Sequence, residues 1–159
     1  MSAVLAEMFR HNTWATLELL NFCRQQEDSF LDGRAPAIFG SARDTMIHVV
    51  AAERRYASGF QSLQTADVNE MMGKDASFAL LLASARETGD IFIKVAAEAD
   101  QDWAIEREYA GEKHTLKGST LLIQAIDHAT EHRTQVRDIL TEQGLQPPVV
   151  DGWTYSGQG

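Results

Sequence analysis

The chain has 159 residues, 44% of them hydrophobic and 23% charged, with 14 Lys and Arg against 23 Asp and Glu and a net charge of −9. Such a chain is long enough for one core and too apolar for wholesale disorder, and so acidic a surface repels phosphate backbones, which excludes a general nucleic-acid binder. The longest apolar run, Phe78 to Ala83, falls far short of a membrane span, and the single cysteine, Cys23, forms no internal disulfide.

The opening MSAVLAEMFRHN turns polar by Glu7, so no secretory leader is expected. These features predict a cytoplasmic protein with no membrane association, folded as one domain over residues 1–159. The three prolines, Pro36, Pro147 and Pro148, fall in loops, and apolar residues between them recur at helical spacing. The first predicted helix runs from an N-cap at Ser2 to about Gln26, with an inward stripe of Leu5, Met8, Asn12, Ala15, Leu19 and Phe22. The second starts at Ser41, where Ser41 and Asp44 suit a capping box, and reaches about Gln64. Its inward face is Thr45, Val49, Ala52, Tyr56, Phe60 and Leu63. The third spans about Ser77 to Ala99, with Phe78, Leu81, Ala85, Phe92, Val95 and Ala99 in line. Gly89 in its middle costs about 1 kcal/mol relative to alanine.

A long connection from Asp100 to Gly118 has room for short strand-like structure. The fourth helix is predicted to start at Ser119 or Thr120 and to end at Gly144, with Pro147 and Pro148 preventing its resumption. The tail over 144–159 carries Val149, Val150, Trp153 and Tyr155 and is expected to pack along the helices. The fold class is all-α, a four-helix bundle with no sheet of consequence.

The chemistry lies in the histidines. At about 100° per residue, His128 and His132 stand about 40° apart on a helical face shared with Leu121, Ala125, Gln135, Val136 and Ile139. Two inward imidazoles one turn apart leave nitrogens needing partners, and one shared cation serves both. The bland alternative is a pair of hydrogen-bonded core histidines. A third ligand comes from another helix, and stripe position favours His48 over His11, while His114 beside Lys113 reads as solvated.

No Glu-x-x-His pair exists for a carboxylate-bridged di-iron bundle. His128-Ala-Thr-Glu131-His132 matches the H-x-x-E-H of inverted zinc proteases, with Glu131 as general base, a short pattern that arises by chance in a Glu-rich helix. Three neutral imidazoles without a thiolate suit a divalent Zn, Ni, Fe or Mn ion with positions left for water or substrate. Asn12, Glu131 and Gln135 are candidate pocket or ligand-supporting residues, Asn12 equally a buried amide tying helices together. Cys23 reads as a small core hydrophobe.

HNTWATLELL in the first helix, TMIHVVAAERRY in the second and DHATEHRTQVRDILTEQGLQPPVVD at the end together resemble the DinB/YfiT-like superfamily over essentially the whole chain. The resemblance implies a four-helix bundle holding a metal between one histidine of the second helix and two of the fourth, here His48, His128 and His132. It also implies homodimers and, for some relatives, thiol-dependent transfer or isomerisation with a low-molecular-weight thiol cosubstrate. The leading expectation is therefore a metal-dependent enzyme acting on a small molecule, a thiol-dependent S-transferase. The alternatives are a metal-binding or dimeric interaction protein without catalysis and, third, a metal-dependent hydrolase.

Overall fold

A computed structural model describes residues 3–36, 38, 40–61, 76–99, 103–109 and 111–157. Four long helices carry the fold: α1 (Ala3–Cys23), α3 (Ala42–Ala57), α4 (Phe78–Glu98) and α5 (Gly118–Glu142). Two short helices, α2 (Asp28–Leu31) and α6 (Gly152–Ser156), sit in the first connection and the tail. Strands β1 (Ala104–Tyr109) and β2 (Glu112–Lys117) form an antiparallel hairpin between α4 and α5, in register Ala104 with Lys117 through Tyr109 with Glu112. The long connection thus holds a two-stranded sheet, and the architecture remains an all-α bundle. No helix of the described residues is long and apolar enough to cross a membrane.

Local chemistry sets most boundaries. Ser41 and Asp44 form the reciprocal capping box at the start of α3. Ser77 Oγ accepts the Leu80 amide at the start of α4, and Gly144 takes φ +83° just past α5. Three boundaries differ from the sequence expectation, the first being that the opening helix ends at Cys23 rather than at about Gln26; its expected N-cap, Ser2, lies outside the described residues. The second helix stops at Ala57 rather than continuing to Gln64. There Arg107 reaches across from the hairpin and donates to the Arg55 carbonyl (2.7 Å) and to Ser58 Oγ (3.1 Å), satisfying the helix end. Leu63 lies outside the described residues.

The fourth helix starts at Gly118, not at a Ser119 or Thr120 cap, and Lys117 at its N-cap makes no side-chain cap bond. The hairpin feeds straight into it: the Gly118 amide donates to the Trp103 carbonyl (2.8 Å). The Trp103 indole also lies 2.5 Å from where a Cβ on residue 118 would stand. Closure of the hairpin, not a polar cap, sets this start.

Helices α1 and α4 pack antiparallel, with Phe9 stacked on Phe92 at 5.1 Å and Thr13 against Gly89. A Cβ on residue 89 would come within 2.4 Å of the Thr13 side chain, which explains a glycine in mid-helix. Alanine there gains up to about 1 kcal/mol of helix propensity but forces a β-branched neighbour out of a packed seam, at about 1–3 kcal/mol. Gly89→Ala is therefore expected to lower the melting temperature by a few degrees. An unchanged or raised transition would show that α1 and α4 separate without cost.

Two apolar clusters fill the bundle. One gathers Leu19, Leu20, Cys23, Leu31, Met46, Val50, Leu81, Val136, Ile139 and Leu140. The other gathers Ala6, Phe9, Phe92, Leu122 and Ala125 under Tyr56, Phe60 and Trp103. Between them along α1 and α5 lie buried polar side chains, Asn12, Thr16 and Arg133. The inward stripe of α1 runs through Phe9, Asn12, Thr16, Leu19 and Cys23, which turns predicted Met8 outward to 49% exposure. Cys23 is fully buried, and burial pushes its thiol up to about 12. The tail lies against α1: Tyr155 Oη donates to Glu7 Oε1 (2.7 Å), and the His11 Nε2 proton goes to the Val150 carbonyl (3.1 Å).

Candidate metal centre

Helices α3 and α5 run antiparallel, so a residue early in α3 meets one late in α5, and His48 faces both His128 and His132. Each of the three residues offers one ligand atom, and these atoms all lie within 4.8 Å of one another. His48 Nε2 and His128 Nε2 are 2.9 Å apart, and the ring centroids are separated by 4.8 Å (48–128), 4.8 Å (48–132) and 4.3 Å (128–132). All three side chains are half-buried, inside the helix face yet within reach of a ligand arriving from outside.

Gln135 supports the set. One turn beyond His132, its Oε1 accepts the His132 Nδ1 proton at 2.7 Å. That bond leaves the Nε2 lone pair of His132 unprotonated and aims the ring. Burial, the neighbouring His132 and the Arg55 guanidinium all lower the His48 pKa. His128 is pushed down to about 4 by burial first, then by His132, His48 and Arg55. Both rings are therefore neutral at pH 7, as metal ligands must be. The Tyr56 ring stands edge-on to His128 at 5.9 Å.

The residues present fit a cation on their own chemistry. Two Nε2 atoms 2.9 Å apart share one proton between them, and the buried Nδ1 of His128 has no hydrogen-bond partner among the described residues. The imidazoles are thus incompletely satisfied by one another. Nitrogens about 2.1 Å from one ion stand about 3 to 4 Å apart, so small ring adjustments bring this set to that spacing.

The other predicted residues separate cleanly. Asn12 is only 2% exposed and is tied into the bundle: its Nδ2 donates to Glu53 Oε1 (2.9 Å), and its Oδ1 accepts from Arg133 Nη1 (2.8 Å). Glu131 is exposed, and among the described residues no hydrogen bond or ion pair joins it to the histidines. His11 sits away on the tail contact, its ring against Trp14 (5.8 Å) and Tyr155 (5.4 Å). His114 is exposed on β2, and Trp153 on α6 is 88% exposed.

Sequence reasoning missed Glu53 and Arg133, both buried and both linked to Asn12, and it missed Arg55 and Tyr56 beside the histidines. Glu53 left a signal, since it follows the apolar run Val49-Val50-Ala51-Ala52, where a solvated glutamate is out of place.

Comparison with known proteins adds a family model described as DinB family, which matches residues 1–158. Among solved structures, a DinB-like protein from Bacillus cereus is 20% identical, covering 92% of this chain and 95% of that one, with a TM-score of 0.64. That likeness is one of fold. No curated protein is significantly similar.

Proposed function

We propose, from the premise that this chain belongs to the DinB family, that it is a metal-dependent enzyme whose divalent ion is held by His48, His128 and His132, and that it transfers a low-molecular-weight thiol to an electrophilic small molecule. The observation that carries the reading is the convergence of three imidazoles from two helices within 4.8 Å. A divalent ion held there supplies Lewis acidity that lowers the pKa of a thiol, so that sulfur reacts as the thiolate at neutral pH.

The chain's own residues do the rest. Burial and the Arg55 charge keep His48 and His128 in the neutral, ligating form. Gln135 holds the His132 proton on Nδ1 and so fixes which nitrogen faces the centre. Arg55 also places positive charge beside the site, which favours the arrival of an anionic sulfur or carboxylate group. Three imidazoles with no thiolate ligand suit Zn, Ni, Fe or Mn. Glu131, exposed and unlinked to the histidines, gives the H-x-x-E-H hydrolase reading no support.

The test is a matrix of small thiols and electrophilic acceptors against protein reconstituted with each of the four metals, following loss of free thiol. Turnover is expected with at least one pair and only with metal loaded. Stoichiometric metal without turnover across the matrix would leave a metal-binding protein without catalysis, and would overturn the transferase reading.

A further inference from the structure

A metal site shared by two helices is only as well defined as the roll of each helix about its own axis. A ring nitrogen about 6 to 7 Å from the axis moves about 1 Å for a 10° roll, while metal–ligand bonds tolerate a few tenths of an ångström. The three histidines alone do not set that roll: a single shared proton joins His48 to His128, and among the described residues His128 Nδ1 is unpartnered. Something on another face of α3 and of α5 must hold both helices.

The structure places such a hold beside the site. Glu53 stands about 140° around α3 from His48, and Arg133 about 100° around α5 from His132. Both turn towards α1, where Asn12 joins them. Glu53, Asn12 and Arg133 are 3%, 2% and 4% exposed. Arg133 Nη1 donates to Asn12 Oδ1 (2.8 Å), to the Asn12 carbonyl (3.3 Å) and to Thr16 Oγ1 (2.9 Å), while Nη2 donates to Thr130 Oγ1 (3.2 Å). Asn12 Nδ2 donates to Glu53 Oε1 (2.9 Å).

We propose that this Asn12–Glu53–Arg133 node is the positioning device of the metal centre, fixing the roll of α3 and α5 so that His48 meets His128 and His132. The inference rests on the metal reading above and deepens it by naming what gives that centre its geometry. An amide is the group that can do this: one end donates to the carboxylate while the other accepts from the guanidinium. Aspartate offers no proton to Glu53 when ionised, and an apolar residue leaves two buried charges without their bridge. Rotating either helix out of place breaks bonds that no water replaces, so the node has one low-energy arrangement.

The experiment compares Asn12→Asp and Glu53→Met with Leu82→Ala, a control in the apolar core of α4, which carries neither histidines nor node residues. Three readouts are taken: Zn²⁺ affinity by chelator competition, the d–d spectrum of the Co²⁺-loaded protein, and histidine Cε1–H shifts of the metal-free protein. Both node variants are expected to bind Zn²⁺ about tenfold or more weakly, the scale seen when groups supporting ligands are lost. They are also expected to alter the Co²⁺ spectrum and move the metal-free shifts of the three histidines. Leu82→Ala should lose thermal stability yet leave all three readouts at parent values. Node variants no different from Leu82→Ala overturn the inference.

Should Asn12→Asp not fold, Glu53→Met decides, since it keeps the length of the side chain while removing the acceptor for Asn12 Nδ2 and the charge. A parent protein that takes up no metal overturns the proposed function. The metal-free shifts then judge the node alone: moved in the node variants it stands, unmoved it falls.

Discussion

Replacing His128 or His132 by alanine is expected to abolish stoichiometric Zn²⁺ retention and weaken affinity at least about a hundredfold. Loss of a group that merely supports a ligand already costs about 10–100-fold. Metal per protein after dialysis, with chelator competition, measures it. In the metal-free protein His128→Ala should change stability by no more than about 1 kcal/mol, or raise it. The reason is that a half-buried imidazole whose Nδ1 has no partner among the described residues contributes little hydrogen bonding to lose. A core histidine behaves oppositely, losing stability and no metal. Full metal retention in His132→Ala would remove the centre. Gln135→Leu is expected to fall between, since it frees the Nδ1 proton of His132 while leaving all three rings in place.

Arg133→Met should be the most destabilising single change in the node. Breaking a buried charge network from one side typically costs about 3–5 kcal/mol, because the remaining charge keeps its burial and loses its compensation. For a chain of this size that is a fall in melting temperature on the order of 10 °C. The pH profile carries the sign. Burial raises the Glu53 carboxyl to about 7, against the lowering influence of Arg133 and the Asn12 hydrogen bond. A carboxyl raised on folding contributes stability fully present below its unfolded value of 4.5, lost as pH rises through about 7. Taking away the guanidinium moves that carboxyl further up, so the Arg133→Met deficit should grow on the alkaline side. Denaturant melts from pH 5 to 9 measure it, and Glu53→Gln should flatten this part of the parent profile. A deficit independent of pH would show that Glu53 and Arg133 do not interact.

His128 works against Glu53 in the same range. Its pKa, lowered on folding from 6.5 to about 4, withholds protons that the unfolded chain takes up, so its contribution is present above 6.5 and lost as pH falls towards 4. The two opposed contributions overlap between about 4.5 and 6.5, where their pH dependences partly cancel in the parent. In Glu53→Gln the histidine contribution is left uncovered.

The bundle and its histidines were legible because both rest on helical periodicity. His128 and His132 share an apolar face whatever surrounds them, and Gly144 with Pro147 and Pro148 ends a helix by backbone geometry alone. What escaped depends on partners distant in the chain. The end of α3 at Ala57 is set by Arg107 from the hairpin, and the start of α5 by Trp103 lying over Gly118. Neither leaves a mark in the local sequence. Arg133 was invisible for a related reason: a charged residue in a helix reads as solvated, and it is Asn12 and Thr16 on a third helix that make its burial tolerable. Met8 was misplaced because its neighbour Phe9 and the small residues of α1 took the inner line, a choice that helix spacing leaves open by about one residue.

The condition of Cys23 bears on how the chain would survive the proposed reaction. Fully enclosed and with its thiol pushed up to about 12, this sulfur is neither ionised nor within reach of solvent-borne reagents. The thiol transfer proposed above would bring soft nucleophiles and alkylating agents to the protein at every turnover. Here the chain's sole sulfhydryl is withheld from that traffic, so inactivation by alkylation has no cysteine to act on while the bundle stays folded.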